Sequence, residues 1–362
     1  MDTIFVLNCG SSSVKFQLIR PESEEVLLKG IAENLNTSRA TLKWNGESKK
    51  LASFDYTHAF EEILQLLGNE PILAIGHRVV HGGESFSASV TIDDTVLEKI
   101  KECNHLAPMH NPVNALGIEI MKAKLPKLPQ VAVFDTAFHQ TMSKKAFIYA
   151  IPYEYYKKYQ VRRYGFHGTS HRYVVQEGSK RIGKPLEQTA FISCHLGNGC
   201  SIAAVQGGKS LDTSMGLTPL EGLVMGQRSG DLDPSIIGFL SQNLRISAKK
   251  VITVLNEKSG LLGISGISED MRVLLENKDP RSELAIEIFC YRLAKYIAAY
   301  IVPLQAVDGV IFTGGIGENS APIREKVMEY LKPFHLNPLV IPTNEELMIA
   351  KDTAAIAKGI IL

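Results

Sequence analysis

Short apolar runs alternate with longer helical patterns along the 362-residue chain. Four runs bounded by polar or glycine-rich turns predict buried strands at Ile4–Leu7, Val131–Phe134, Phe191–Cys194 and Val310–Phe312. Between residues 284 and 301, apolar residues recur at helical spacing, and Pro303 is expected to end that helix. Strands that alternate with helices predict an α/β protein.

Two segments of the chain repeat one pattern. Residues 4–16 and residues 191–205 each contain an apolar strand, a polar residue (Asn8 or His195), a turn of small residues and a second apolar run. Each segment predicts a β-hairpin. Two such hairpins suggest two similar halves, although glycine and serine are common enough in turns for the hairpins to be unrelated.

Composition and charge narrow the possible functions. Lys plus Arg number 39 and Asp plus Glu number 38, which argues against broad nucleic-acid binding. The five cysteines are scattered without a C-x-x-C pair, so we expect a reduced, cytoplasmic protein and no zinc site. No run of about 20 apolar residues occurs, so no membrane span is expected.

Three glycine-rich turns follow predicted strands. They comprise residues 8–13 with Lys15 close behind, residues 195–199, and residues 313–319, after which a helix is expected to begin near Ser320. Small residues allow backbone N–H groups to approach a phosphate, and a lysine adds charge. None matches the P-loop pattern, and one such turn alone could be an ordinary surface turn. Together, the three favour a nucleotide phosphate site.

Five further segments place arginine and histidine beside small or acidic residues: GHRVVHGGE (76–84), LAPMHNP (106–112), FDTAFHQTM (134–142), RRYGFHGTSHRYV (162–174) and GQRSGDLDP (226–234). Arginine and protonated histidine can neutralise a transferring phosphoryl group, and a carboxylate or asparagine can hold Mg²⁺. A transition-metal site at His77 and His81 is not favoured, because H-E-x-x-H is absent. A serine hydrolase is not supported without G-x-S-x-G, and His171 is expected to be structural or on the surface.

These segments, together with NCGSSSVKF, HLGNGCSI, GGIGEN and TNEELMIA, occur in an order that resembles the acetate kinase family over nearly the whole chain. The resemblance implies membership of the superfamily of sugar kinases, actin-like ATPases and heat-shock chaperones. It implies an α/β fold of two ribonuclease-H-like domains that face each other across a nucleotide cleft. The first domain would span 1–148 plus 346–362, and the second, nucleotide-binding domain would span 149–345.

The resemblance also implies reversible transfer of the γ-phosphoryl group of ATP to acetate by direct in-line attack, in a cytoplasmic homodimer without nucleic-acid or membrane partners. The implied catalytic residues are His110, Asp135, His167 and Arg228. The implied acetate site comprises Arg78, Val80, Met109, Phe166 and Pro219, with methionine where leucine is usual. ATP would contact Lys15, His195, Leu196, Gly197, Asn198, Gly199, Asp270, Met271, Arg272, Gly315, Ile316, Gly317, Glu318 and Asn319. Asn8 and Glu345 would bind Mg²⁺, which Mn²⁺ can replace.

Acetate has a pKa near that of Glu, about 4.3, so the nucleophile is ionised at pH 7 without a general base. Asp135 is therefore expected to orient a metal-bound water or to fix Arg78. Two alternatives stay open. A propionate or butyrate kinase differs by one or two methylenes, and Val80 favours the smaller acid. A non-catalytic nucleotide switch would not need Arg78, Asp135, His167 and Arg228 together.

Overall fold

The computed structural model describes residues 2–360. Its strands are β1 (Thr3–Gly10), β2 (Ser13–Arg20), β3 (Glu25–Glu33), β4 (Thr41–Trp44), β5 (Glu47–Lys50), β6 (Ile72–Val79), β7 (Val90–Thr91), β8 (Gln130–Phe134), β9 (Ala190–Leu196), β10 (Cys200–Gln206), β11 (Lys209–Thr213), β12 (Gly309–Thr313) and β13 (Pro338–Val340).

The α-helices are α1 (Tyr56–Leu66), α2 (Asp94–Glu102), α3 (Asn111–Lys124), α4 (Lys144–Phe147), α5 (Tyr153–Tyr159), α6 (Gly168–Ile182), α7 (Ser235–Leu244), α8 (Ala248–Glu257), α9 (Gly260–Ser265), α10 (Met271–Glu276), α11 (Pro280–Leu304), α12 (Gly314–Asn319), α13 (Ala321–Tyr330) and α14 (Glu345–Ala357). Within the described range, no helix is long and apolar enough to cross a membrane.

The first unit comprises the residues up to Phe138 and those from Asn344 onward. Its sheet has the order β5-β4-β3-β2-β1-β6-β8-β7, in which β1, β6 and β8 are parallel and the other neighbours are antiparallel. The C-terminal helix α14 packs against β6. This approach requires glycine at position 76, because a Cβ there would lie 2.4 Å from Thr353 Oγ1.

The second unit, His139–Thr343, is built on a five-stranded sheet of order β11-β10-β9-β12-β13. Strands β9, β10 and β11 are antiparallel neighbours, whereas β12 and β13 run parallel to β9. Strands β3, β2, β1, β6 and β8 of the first unit have the same order and directions. Asn8 and His195 occupy corresponding places near the ends of β1 and β9. The prediction of two similar halves, each with a hairpin, is therefore confirmed.

The four predicted strands are confirmed as the cores of β1, β8, β9 and β12, as is the α/β class. The predicted helix lies within α11, which extends one residue past Pro303. The prediction of a turn over residues 313–319 is wrong, because Gly314–Asn319 forms the helix α12. The two units divide at 138/139 and 343/344, whereas the domains were expected to divide at 148/149 and 345/346.

Candidate active site

Polar side chains lie at or near the carboxyl ends of three neighbouring parallel strands of the first unit. Asn8 lies near the end of β1, Arg78 is the penultimate residue of β6, and Asp135 follows β8. Arg78 Nε and Nη2 donate to the two carboxylate oxygens of Asp135 at 3.0 and 2.6 Å, and Nη1 donates to Asn8 Oδ1 at 3.4 Å. This edge of an open α/β sheet is where such folds usually bind ligands.

The Arg78–Asp135 pair is held away from water. The Asp135 side chain is 2% exposed and that of Arg78 is 21% exposed. Burial opposes the charge on Arg78, but the attraction of Asp135 and Glu345 outweighs it and keeps the pKa of Arg78 above its usual range. The bidentate contact therefore fixes a charged guanidinium with part of its surface still accessible.

Glu345 begins α14 and brings a second carboxylate to this group. Its Oε1 atom is buried and has no hydrogen-bond partner. Burial raises the pKa of Glu345, and Arg78 and Lys15 only partly oppose that effect. An unpartnered carboxylate oxygen together with the amide oxygen of Asn8 is a donor set that suits Mg²⁺, which favours oxygen ligands and retains several waters. The residues present therefore fit the implied metal.

The paired histidines His77 and His81 do not form a metal site comparable to the oxygen donors of Asn8 and Glu345. Within residues 2–360, no group of three or more His, Cys, Asp or Glu side chains is arranged to hold a metal. His77 is buried, with Nε2 2.7 Å from Gln130 Oε1, and burial lowers its pKa to about 4. A neutral, hydrogen-bonded imidazole is consistent with a structural role for His77.

Of three residues implied at the acetate and phosphoryl positions, Val80 directly follows β6, whereas Met109 and His110 directly precede α3. The backbone N–H of Val80 donates to Asn114 Oδ1 at 3.0 Å, and Asn114 Nδ2 donates to the Cys9 carbonyl at 2.8 Å, which ties β6 to β1. Val80 is only 8% exposed. His110 is half-buried immediately before α3, whereas the neighbouring Met109 is 64% exposed.

In the second unit, His167, Gly199 and Arg228 are close neighbours. A Cβ at Gly199 would lie 3.4 Å from Arg228 Nη1 and 3.6 Å from His167 Nε2. His167 adopts the left-handed conformation (φ 55°) immediately before α6, and its ring stacks on that of His195 with the centroids 4.2 Å apart. The two implied catalytic residues of this unit are therefore brought together beside the turn after β9.

Arg228 is a largely enclosed cation without a carboxylate partner. Its Nη1 donates to the Pro219 carbonyl at 3.4 Å and approaches Met225 Sδ at 3.8 Å, and no Asp or Glu of the described residues forms an ion pair with it. Burial lowers its pKa. An uncompensated buried charge is costly, so this arrangement indicates a place for an anion.

A cavity of about 600 Å³ opens in the second unit, which is within the range of roughly 300–1,000 Å³ typical of small-molecule sites. It is lined by Gly197, Asn198, Glu269, Asp270, Met271, Arg272, Leu275, Gly315, Ile316, Asn319, Ser320 and Pro322. Eight of these residues are among those implied to contact ATP. Glu269, Leu275, Ser320 and Pro322 adjoin the implied segments but were not predicted.

Other implied ATP residues do not line the cavity. Leu196 is fully buried, and Glu318 Oε1 accepts hydrogen bonds from the backbone N–H groups of Gly314 (2.8 Å) and Thr343 (3.1 Å). Glu318 therefore stabilises the segment that carries Gly315 and Ile316. Gly317 is likewise buried. Lys15 is exposed on β2 of the first unit, opposite Asn8.

Phe166 and Pro219, implied at the acetate methyl group, belong to the second unit. Phe166 is buried next to His167, and its carbonyl oxygen lies 3.0 Å from His139 Nε2. Pro219 is half-buried, and its carbonyl accepts the hydrogen bond from Arg228.

A family model, similar proteins and similar solved structures all relate this chain to acetate or propionate kinases. A model of the acetokinase family matches residues 3–338. The acetate kinase of Treponema denticola is 48% identical over 98% of this chain and 100% of its own length, and that of Natranaerobius thermophilus is 48% identical over 99% of both. Among solved structures, a propionate kinase from Francisella tularensis has a TM-score of 0.95 at 46% identity over 100% of both chains. The acetate kinase of Porphyromonas gingivalis has a TM-score of 0.93 at 42% identity over 98% of this chain and 100% of its own.

Proposed function

Because the chain belongs to the acetokinase family, we propose that it catalyses the reversible transfer of the γ-phosphoryl group of ATP to acetate, giving acetyl phosphate and ADP. The observation that carries this proposal is Arg228, a half-buried guanidinium beside His167 and Gly199 that pairs with no Asp or Glu of residues 2–360. A nucleotide switch would need to bind ATP, but it would not need a second arginine, Arg78, fixed by Asp135 in the other unit.

Acetate is assigned to the strand ends of the first unit. Arg78 binds the carboxylate, and Asp135 fixes the guanidinium through its two hydrogen bonds. Because acetate is ionised at pH 7, it attacks the γ-phosphorus directly and Asp135 need not remove a proton. Val80, Met109, Phe166 and Pro219 are proposed to surround the methyl group.

The nucleotide is assigned to the second unit. The cavity bounded by residues 270–272 and by Gly315, Ile316 and Asn319 would hold the adenosine, and the turn 195–199 would donate to the phosphates. Arg228 would compensate the charge on the transferring oxygens, and His167, with His110 of the first unit, would help to stabilise the transition state. Catalysis then rests on positioning and charge compensation, as in phosphoryl transfer generally.

Asn8 and Glu345 are proposed to hold Mg²⁺, and Mn²⁺ is expected to replace it. The buried, unpartnered Glu345 Oε1 supports this assignment. When bound, the ion supplies positive charge to the β- and γ-phosphates. Lys15, which is exposed opposite Asn8, adds a mobile positive charge for the nucleotide phosphates.

Two further properties are proposed. The apolar side chains of Ile236, Phe239 and Leu244 are exposed on α7, a helix without a buried residue, and this surface favours self-association into a homodimer. Light scattering should give twice the 39.8 kDa chain mass, and Phe239→Glu should lower the measured mass. A monomeric wild type would contradict the proposal.

The second property is the cellular compartment. The five free cysteines fit a reducing cytoplasm.

Propionate is the second candidate substrate. The propionate kinase of Francisella tularensis is structurally very similar to this chain, and the flexible side chain of Met109 can bend to admit a longer alkyl group. The test is to trap the acyl phosphate with hydroxylamine in reactions that contain ATP, Mg²⁺ and either acid. We expect acylhydroxamate with both acids and a larger kcat/KM for acetate. ATP turnover without hydroxamate would contradict the proposed function, and a clear preference for propionate would reassign the substrate.

A further inference from the structure

A chain of buried hydrogen bonds runs from His167 into the interior of the second unit. His167 Nδ1 lies 2.9 Å from Ser201 Oγ, which lies 2.8 Å from His171 Nε2, and His171 Nδ1 lies 2.8 Å from Ser193 Oγ. Ser201, His171 and Ser193 are fully buried. The four residues come from β9, β10 and the start of α6, so the fold itself brings them into line.

Burial restricts which ring nitrogens and hydroxyls in this series of hydrogen bonds can carry a proton. The pKa of His171 is lowered well below its usual value by burial, with smaller contributions from His139 and His195, so its ring is neutral. A neutral imidazole donates from one nitrogen and accepts at the other, and a hydroxyl donates a single proton. The Ser201 hydroxyl has one proton and two lone pairs, so it either donates to His167 Nδ1 or accepts from it. If it donates to His167, it must accept from His171 Nε2, and His171 Nδ1 then accepts from Ser193. Only this arrangement leaves the proton of a neutral His167 on Nε2.

The surroundings of His167 select between the two arrangements. Its Nε2 atom faces the side where Gly199 and Arg228 lie. A second positive charge beside the unpaired Arg228 would be repelled, which favours a neutral His167. Arg228 directs its Nη1 to the Pro219 carbonyl and towards Met225 Sδ. A phosphoryl oxygen at this place accepts hydrogen bonds only, and therefore requires a proton on Nε2.

We infer that Ser201 and His171 are positioning residues that hold the proton of His167 on Nε2, so that His167 and Arg228 donate to the same anion. Ser193 donates to His171 Nδ1, His171 donates from Nε2 to Ser201, and Ser201 donates to His167 Nδ1. The selection of this direction rests on the proposed function, because it uses the phosphoryl acceptor. No proton is transferred, and the chain only fixes the tautomer before the substrates bind.

The tautomer can be observed directly in the wild-type protein without any reaction. Long-range ¹H–¹⁵N correlation spectra of protein labelled with ¹⁵N-histidine distinguish protonated from unprotonated ring nitrogens, and His167→Asn assigns the His167 signals. We expect a protonated Nε2 and an unprotonated Nδ1. A proton on Nδ1 would overturn the inference. Because this measurement needs no turnover, it decides the inference even if the wild type forms no acyl phosphate, a result that would instead refute the proposed function.

Kinetics provide the second readout. Ser201→Ala removes the donor to His167, so the tautomers should mix and kcat should fall about 10- to 100-fold, while the KM values for ATP and acetate change less than about twofold. Ser210→Ala is the matched control, because Ser210 is equally buried and its Oγ lies 2.8 Å from His139 Nδ1. This contact does not belong to the series of hydrogen bonds from His167 to Ser193. The control should keep the His167 tautomer and most of the activity. Equal losses in both variants, or an unchanged tautomer in Ser201→Ala, would contradict the positioning role.

Discussion

Replacing Arg228 by alanine should separate the contribution of this residue to catalysis from its contribution to stability. Arg228 forms no ion pair among the described residues, and its contacts are a 3.4 Å hydrogen bond to Pro219 and a 3.8 Å approach to Met225 Sδ. Removing an uncompensated, largely buried cation relieves its desolvation cost, which offsets the lost packing. The free energy of unfolding should therefore change by about 1 kcal/mol or less.

The effect on the reaction should be much larger. If Arg228 donates to the transferring phosphoryl group, its loss should lower kcat about 10²- to 10³-fold, which corresponds to roughly 3–4 kcal/mol. Binding of ADP to the cavity lined by residues 270–272 and by Gly315, Ile316 and Asn319 should be nearly unchanged. The assay is ADP release at saturating acetate and ATP, with ADP affinity from calorimetry and Tm from circular dichroism.

Arg163→Ala is the matched control. Arg163 is also largely buried, but it forms an ion pair with Glu221 at 2.6 Å and donates to the Thr213 and Ser214 carbonyls at 2.5 and 3.0 Å. Its removal takes the ion-pair partner from Glu221 and a donor from the two carbonyls, and should cost about 3 kcal/mol, or roughly 6–12 °C in Tm. A comparable drop in Tm for Arg228→Ala would show that Arg228 is structural and refute the reasoning.

Three other predictions follow from the proposed site and from the core. Excess EDTA should abolish acyl phosphate formation and Mg²⁺ should restore it; full activity in EDTA would contradict the assignment of Asn8 and Glu345. Val80→Ala should raise the propionate-to-acetate ratio of kcat/KM about tenfold to a few tenfold by opening space at the alkyl end, whereas an unchanged ratio would place Val80 outside the pocket. The pKa of His77 is lowered from 6.5 to about 4, so the neutral form stabilises the fold above pH 6.5 and that contribution is lost as the pH falls towards 4; the Tm of His77→Gln should therefore fall less than that of the wild type over this range.

The hairpins could be predicted from the sequence because each is encoded locally. An apolar run, a turn of small residues and a second apolar run give β1–β2 and β9–β10 directly. The two similar halves suggested by the repeated sequence pattern also share strand order and strand direction. The helix α12 could not be predicted, because it depends on Glu318, whose carboxylate accepts from Gly314, and on Gly314 (φ 76°), where a Cβ would lie 2.8 Å from the Leu196 carbonyl oxygen.

The charged residues of the candidate site could be anticipated from their motifs, but only some of their supporting contacts could. The contact of Asp135 with Arg78 is one of the two roles expected for Asp135 from the chemistry of acetate, whereas the motif containing Arg78 does not specify it, because 57 residues separate the two. Similarly, His171 looked structural from its sequence alone. Its link to His167 through Ser201 exists only because β10 places Ser201 between the two rings. Contacts between distant segments depend on strand register, which the sequence pattern does not specify to the residue.

Direct phosphoryl transfer from ATP to acetate is the central claim, and oxygen labelling tests it most directly. The protein should be incubated with ATP, Mg²⁺ and [¹⁸O₂]acetate, and the products examined by ³¹P NMR. Attack by acetate on the γ-phosphorus predicts acetyl phosphate with ¹⁸O in the bridge between carbon and phosphorus, formed together with unlabelled ADP. Inorganic phosphate and ADP without acetyl phosphate, or acetyl phosphate without ¹⁸O in that bridge, would contradict the account.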